Sequence, residues 1–142
     1  MTFAEKYPPA MAYLRRNVQR YAPQARILQA DVLLPPPLNE EFDVITANPP
    51  YIESGEMATL QPEVTFEPET ALDGGEDGLL FYRAIVRLWL PLLAAGGMLA
   101  CEVGYRQARA VQALFEQAGL MSEICCDACG IERVVCGYKK KV

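Results

Sequence analysis

The chain has 142 residues, 51% of them hydrophobic and 22% charged, a length that suits one domain and a composition that excludes a disordered chain. Arg83 and Arg87 interrupt the most apolar stretch, Leu79 to Leu93, so no membrane span is expected. Eighteen acids against 13 bases give a net charge of −5, and eight of the acids fall between Glu53 and Asp77, where there is no Lys or Arg; that block repels phosphates and argues against a nucleic-acid partner.

In chain order, Thr2 to Glu5 reads as the end of a short strand, and Pro8-Pro9 supplies the fixed φ that suits a first helical turn. Met11, Leu14, Val18 and Tyr21 recur at spacings of three and four, so a helix follows and Pro23 stops it. Arg26 to Ala30 and Phe42 to Ala47 predict two further strands suited to a buried sheet. From Glu53 to Asp77 no period is sustained, and a loop that long predicts a lid, mobile until substrate docks. Asp77 is placed to cap a helix through Leu90, with Pro91 and Gly96-Gly97 marking its end. Met98 to Val103 predicts a strand and Arg106 to Ala118 an amphipathic helix stopped by Gly119. Met121 to Cys126 and Glu132 to Tyr138 predict a closing antiparallel hairpin, and Lys139 to Lys141 a solvated tail. The order implies an α/β sheet with helices on its faces and an antiparallel end.

The chain contains no histidine, which excludes Ser-His-Asp and Cys-His nucleophilic sites and His-ligated zinc. The strongest chemical signal is Asn48-Pro49-Pro50-Tyr51, directly after the strand FDVITA and so at the end of a sheet where α/β folds place ligands. In isolation such a tetrapeptide is an ordinary turn. Here the Asn48 side-chain oxygen and the Pro49 carbonyl can both accept hydrogens from a planar NH₂ group, Pro50 carries no competing N–H, and Tyr51 offers a flat face to stack on it.

The tetrapeptide resembles the motif of S-adenosylmethionine-dependent methyltransferases that act on amino groups conjugated to π systems. Together with PEVTFEPETALDGGEDGLLFYRAI, GGMLACEVGYRQ and DACGIERVV, the chain resembles the HemK/PrmC family over nearly its whole length. That family methylates the side-chain amide of glutamine in peptide-chain release factors. The resemblance implies a class I methyltransferase (Rossmann-like) sheet and, for residues 1–142, a partial S-adenosyl-L-methionine-dependent domain. It assigns Asn48, Pro49, Pro50 and Tyr51 to catalysis and Glu5, Asp31, Val32 and Asn48 to the cofactor. Glu5 would meet the ribose hydroxyls and Asp31 the adenine amino group, with Val32 against the ring. The implied partner is a release factor; separately, the N-terminus MTFAEKYPP lacks a basic stretch followed by an apolar core, so no signal peptide and a cytoplasmic compartment are expected.

Several parts of the family pattern are missing. The resemblance implies a helical substrate-binding domain, a first central strand and a Gly-rich loop, none of which these residues supply; Gly74-Gly75 and Gly96-Gly97 are wrongly placed to substitute. The absent strand would lie in the middle of the sheet, so two unpaired inner edges and self-association through them are expected. Among Cys101, Cys125, Cys126, Cys129 and Cys136 there is one CxxC, Cys126 to Cys129, and no second pair. The thiols are therefore read as buried strand residues, and no metal is expected. Two other readings of the chain are an amino methyltransferase acting on adenine or another nucleobase, which the acidic block disfavours, and a non-catalytic remnant of the fold.

Overall fold

The computed structural model describes residues 1–61 and 66–141. Strand β1 (Thr2–Glu5) pairs in parallel with β2 (Arg26–Gln29), and between them runs helix α1 (Pro8–Tyr21), with proline in its first turn. The helical spacing read from the sequence turns Met11 and Val18 inward, and the chain leaves the helix where Ala22 N–H donates back to the Val18 carbonyl.

A second sheet has the order β3-β4-β6-β5. Strand β3 (Phe42–Ala47) is parallel to β4 (Leu93–Glu102), while β6 (Glu132–Tyr138) is antiparallel to both β4 and β5 (Met121–Cys126). Helix α3 (Ala108–Gln117) covers one face and delivers Val111 and Phe115, both fully buried, onto Leu99, Cys101, Val103 and Val135. Tyr82, on the short helix α2 (Leu80–Ala84), is also fully buried; its hydroxyl donates to the Glu102 carbonyl at 2.8 Å, tying α2 to the end of β4.

The break between the two sheets falls between β1 and β3, where the family resemblance places a missing strand. Among the described residues β1 bonds only to β2 and β3 only to β4, so each leaves a row of backbone donors and acceptors unpaired. A link outside the sheets joins the halves: the Trp89 indole N–H donates to the Val32 carbonyl at 3.0 Å.

Four sequence expectations are corrected. The helix expected from Asp77 begins at Leu80, passes into a π-helical turn over Ile85–Trp89 and ends in a 3-10 turn at Leu92. Asp77 lies outside it, though its carboxylate still accepts the Leu79 N–H and pairs with Arg83. Gly96-Gly97 does not follow a helix but lies inside β4, which begins at Leu93; a Cβ on Gly97 would sit 2.8 Å from the Asp43 carbonyl oxygen of the neighbouring strand. Lys139 is not a free tail residue, since its ammonium donates to the Leu93 carbonyl and its N–H to that of Gly97. Cys101 and Cys136 are buried as expected, but Cys125 and Cys126 on the outer strand β5 and Cys129 in the hairpin turn are exposed.

Candidate active site

Asn48, Pro49, Pro50 and Tyr51 leave β3 at its carboxyl end, beside the end of β4, because parallel pairing sets Ala47 opposite Cys101. Pro49 is buried, Pro50 and Tyr51 are half-buried, and Asn48 is exposed. Among the described residues the Asn48 side chain makes no hydrogen bond, which leaves its amide oxygen available to a ligand.

Three neighbouring segments hold this loop. Gln107, at the start of α3, spans a gap with both ends of its carboxamide: Nε2 donates to the Tyr51 carbonyl at 2.7 Å and Oε1 accepts the Gly104 N–H at 3.1 Å. Ile52 pairs in parallel with Asp73 through two backbone hydrogen bonds, Ile52 N–H to the Leu72 carbonyl and Gly74 N–H to the Ile52 carbonyl. Ser54 continues the contact, with its N–H on the Gly75 carbonyl and its hydroxyl on Asp73 Oδ1 at 2.7 Å.

Gly74 must be glycine for a steric reason, since a Cβ there would meet the Tyr51 backbone at 2.7 and 2.8 Å. At Gly78, whose φ is +68°, a Cβ would lie 2.5 Å from the Tyr51 carbonyl oxygen. The segments LDGGEDG and VGYRQ therefore brace the Asn48–Tyr51 loop from outside. Gly74→Ala is expected to destabilise the chain by about 1–3 kcal/mol, because overpacking against backbone cannot be relieved by a rotamer change. Gly55→Ala, where the added carbon meets nothing within 4 Å, serves as the control in the same denaturant titration. Equal stability of the two variants would contradict the bracing.

The expected lid is thus only partly free. Its ends are docked, Ser54–Thr59 forms a 3-10 turn and Glu69–Ala71 another, and residues 62–65 of the expected lid lie outside those described. Asp73 is held below the ordinary carboxylate range, first by the Ser54 hydroxyl and then by the Gly75 N–H. A depressed carboxylate adds stability above its ordinary pKa and loses it as pH falls through the lowered value. The hydrogen-exchange protection factor of Gly75 should therefore fall below about pH 4; an unchanged factor would show that the carboxylate does not hold the docked loop.

The residues expected to meet a cofactor cluster on the other sheet. Glu5 is the last residue of β1, opposite Gln29, and Asp31 follows the end of the adjacent parallel strand β2. One oxygen of Glu5, Oε1, accepts the N–H groups of Lys6 and Tyr7, both at 2.8 Å, which fixes the carboxylate and leaves Oε2 without a hydrogen bond among the described residues. Asp31 pairs with Lys6 at 2.8 Å and accepts the Leu33 N–H; the Lys6 contact is the main cause that lowers its pKa. Val32 is half-buried and packs on the same core as Tyr51, so the loops from both sheets share one support.

Sequence reading missed Gln107, Gly74, Gly78 and Gly104 as the residues that position the loop. The signal for Gln107 was its place two residues beyond Tyr105 in VGYRQ, just past a strand end; nothing local says that its partner is 56 residues away.

No protein-family model matches the chain. In sequence it is similar to the release factor glutamine methyltransferase of Geobacter sulfurreducens, 41% identical over 135 residues that cover 94% of this chain and 47% of that protein. The corresponding protein of Salmonella typhimurium is 35% identical over 139 residues, covering 96% and 50%. In structure the chain is similar to a methyltransferase from Pyrococcus furiosus, with a TM-score of 0.70 at 16% identity over 98% of this chain and 62% of that one. It is also similar to the N-methyltransferase NodS of Bradyrhizobium japonicum in complex with S-adenosyl-L-homocysteine, with a TM-score of 0.61 at 14% identity over 98% and 65%.

The strand order, the antiparallel final hairpin and these likenesses define the class: the chain has the fold of a class I methyltransferase domain in part. Within that class, its relatives at 35–41% identity over nearly the whole of this chain are release factor glutamine methyltransferases. The chain spans about half the length of the curated relatives it matches.

Proposed function

We propose that this chain is the acceptor-gripping part of an enzyme that transfers a methyl group from S-adenosyl-L-methionine to the side-chain amide nitrogen of a glutamine in a peptide-chain release factor, in the cytoplasm. The observation that carries this reading is the Asn48–Tyr51 loop at the carboxyl end of β3, braced by Gln107 and Gly74 with the Asn48 amide outward.

The donor set fits the cofactor. Glu5 has one oxygen fixed by two backbone N–H groups and another free for a pair of hydroxyls, as a ribose presents. Asp31 and Val32 offer an acceptor and an apolar surface to an aminated ring. When bound, the cofactor supplies a sulfonium methyl, an electrophile that needs no activation by the protein.

The protein's task lies with the acceptor. An amide nitrogen is a poor nucleophile because its lone pair is delocalised into the carbonyl, so positioning must do most of the work. The Asn48 oxygen and the Pro49 carbonyl accept its two N–H hydrogens, which turns the lone pair toward the incoming carbon. Tyr51 stacks on the amide plane and keeps water away, and the proton leaves to solvent after transfer.

The test is an assay of the full-length protein with labelled S-adenosyl-L-methionine against a release-factor substrate and an adenine-containing oligonucleotide. Label on the glutamine alone is the expected result, and label on the oligonucleotide alone would replace the reading. In the same protein Glu5→Ala should weaken cofactor binding by about tenfold or more, the loss expected for two hydroxyl contacts to a charged group. Unchanged affinity in calorimetry would reassign Glu5 to the helix entry.

A further inference from the structure

Outside the loop described above, one group of side chains among the described residues has the composition of a ligand set. Glu123 and Cys125 are two residues apart on β5 and so share a face, and the strand register sets Glu123 opposite Cys136 on β6. Carboxylate oxygen and both sulfurs lie within 4.8 Å of one another.

The face they occupy is the one turned away from α3. A Cβ on Gly137 would meet Leu120 and Phe115 at 2.7 Å, and Val135 is in the core, so Cys136 between them points to the other side. There its neighbour on β4 is the small Ala100. Tyr138, on the same face, donates its hydroxyl to Glu123 Oε1 at 2.5 Å, which orients the carboxylate and leaves Oε2 free.

We infer that Cys125, Cys136 and Glu123 form a binding site for a zinc-class, thiophilic dication on the C-terminal hairpin. Two sulfurs at about 2.3 Å and one oxygen at about 2.1 Å from a tetrahedral ion stand roughly 3.5–3.8 Å apart. The present spread of up to 4.8 Å closes to that by small χ1 rotations of the exposed Cys125 and Glu123, without backbone movement. Water completes the fourth position. The Tyr138 hydroxyl on the ligating carboxylate supplies the outer partner that such ligands need.

On binding, each thiol gives up its proton to solvent and forms a sulfur–metal bond, while the carboxylate binds without proton loss, so two protons are released per ion. Because the thiols must lose their protons to bind, affinity should rise with pH. The site does not use the Cys126-to-Cys129 pair: the grouped ligand atoms are those of Glu123, Cys125 and Cys136.

The experiment is a titration of the reduced 142-residue chain with Co²⁺ as a spectroscopic probe, followed by displacement with Zn²⁺. One equivalent should bring a near-ultraviolet thiolate charge-transfer band and the visible bands of tetrahedral cobalt, both lost on adding Zn²⁺. Cys125→Ser should weaken binding by about a hundredfold and halve the charge-transfer intensity, and Glu123→Gln should weaken it by about tenfold with that intensity retained, in the range expected when a ligand or its support is removed. Both positions are exposed, and circular dichroism checks that each variant keeps the fold. The double variant Cys126→Ser, Cys129→Ser should bind as the parent does. Octahedral cobalt, no thiolate band in the reduced chain, or loss of binding only in the double variant would each overturn the assignment.

Discussion

Replacing Asn48 by alanine in the full-length protein is expected to lower kcat by about a hundredfold to a thousandfold while leaving the cofactor dissociation constant within about twofold. The magnitude is that of losing one preorganised polar group at the reacting centre, about 3–4 kcal/mol of barrier. The split between rate and affinity follows from position. Asn48 stands just past the end of β3 and is exposed, whereas the residues expected to hold the cofactor, Glu5 and Asp31, lie at the ends of strands of the other sheet. On the proposed role, alanine removes the acceptor for one N–H hydrogen while leaving Pro49, which is buried, in place. Single-turnover methyl transfer together with cofactor calorimetry on the same preparation measures both quantities. Near-parental turnover would remove Asn48 from the acceptor site, and a parallel loss of cofactor affinity would move it to the cofactor.

The place of the proposed site in the fold was legible in the sequence to the extent that its signal is local. Asn-Pro-Pro-Tyr after a strand declares both its place and its hydrogen-bonding capacity, because prolines fix the backbone and a parallel strand ends where ligands bind. What holds the loop was not legible, because it is tertiary. Gly74 and Gly78 looked like loop formers, yet their lack of a side chain is a packing requirement set by Tyr51, more than twenty residues away. The same confusion misread Gly96-Gly97 as a terminator: glycine marks close approach as often as it marks a turn, and at Gly97 the approach is to the Asp43 carbonyl oxygen of a paired strand.

Strands and helices with a clear period or a proline boundary were recovered to within a few residues, as with β1, α1, β3 and the final hairpin. The helix after Asp77 starts later than expected, at Leu80, because Gly78 takes a left-handed φ of +68° that no right-handed helix contains. The thiols were misjudged because burial along β5 depends on whether another strand lies outside it, and none does among the described residues.

The 142-residue chain by itself is expected to self-associate and to bind S-adenosyl-L-methionine at least tenfold more weakly than the full-length protein. Strands β1 and β3 each present an unpaired edge at the break between the sheets. On β3 the side chain nearest the middle, Val44, is 52% exposed, so apolar surface lies beside the free N–H and C=O groups. Exposed edges with such faces are templates for strand addition, and pairing between copies satisfies the backbone without repacking the helices. The same break separates Glu5 and Asp31 from the Asn48 loop, joined among side-chain hydrogen bonds through Trp89 to the Val32 carbonyl, so cofactor contacts from the two sheets are held together less rigidly than one continuous sheet would hold them. Sedimentation over a range of concentrations should show dimers or larger species for the chain alone. Val44→Lys, which places a charge on the edge strand, should shift that distribution toward monomer. A monodisperse monomer that binds cofactor as tightly as the full-length protein would mean that the two edges meet each other in solution and that the sheet closes without a further strand.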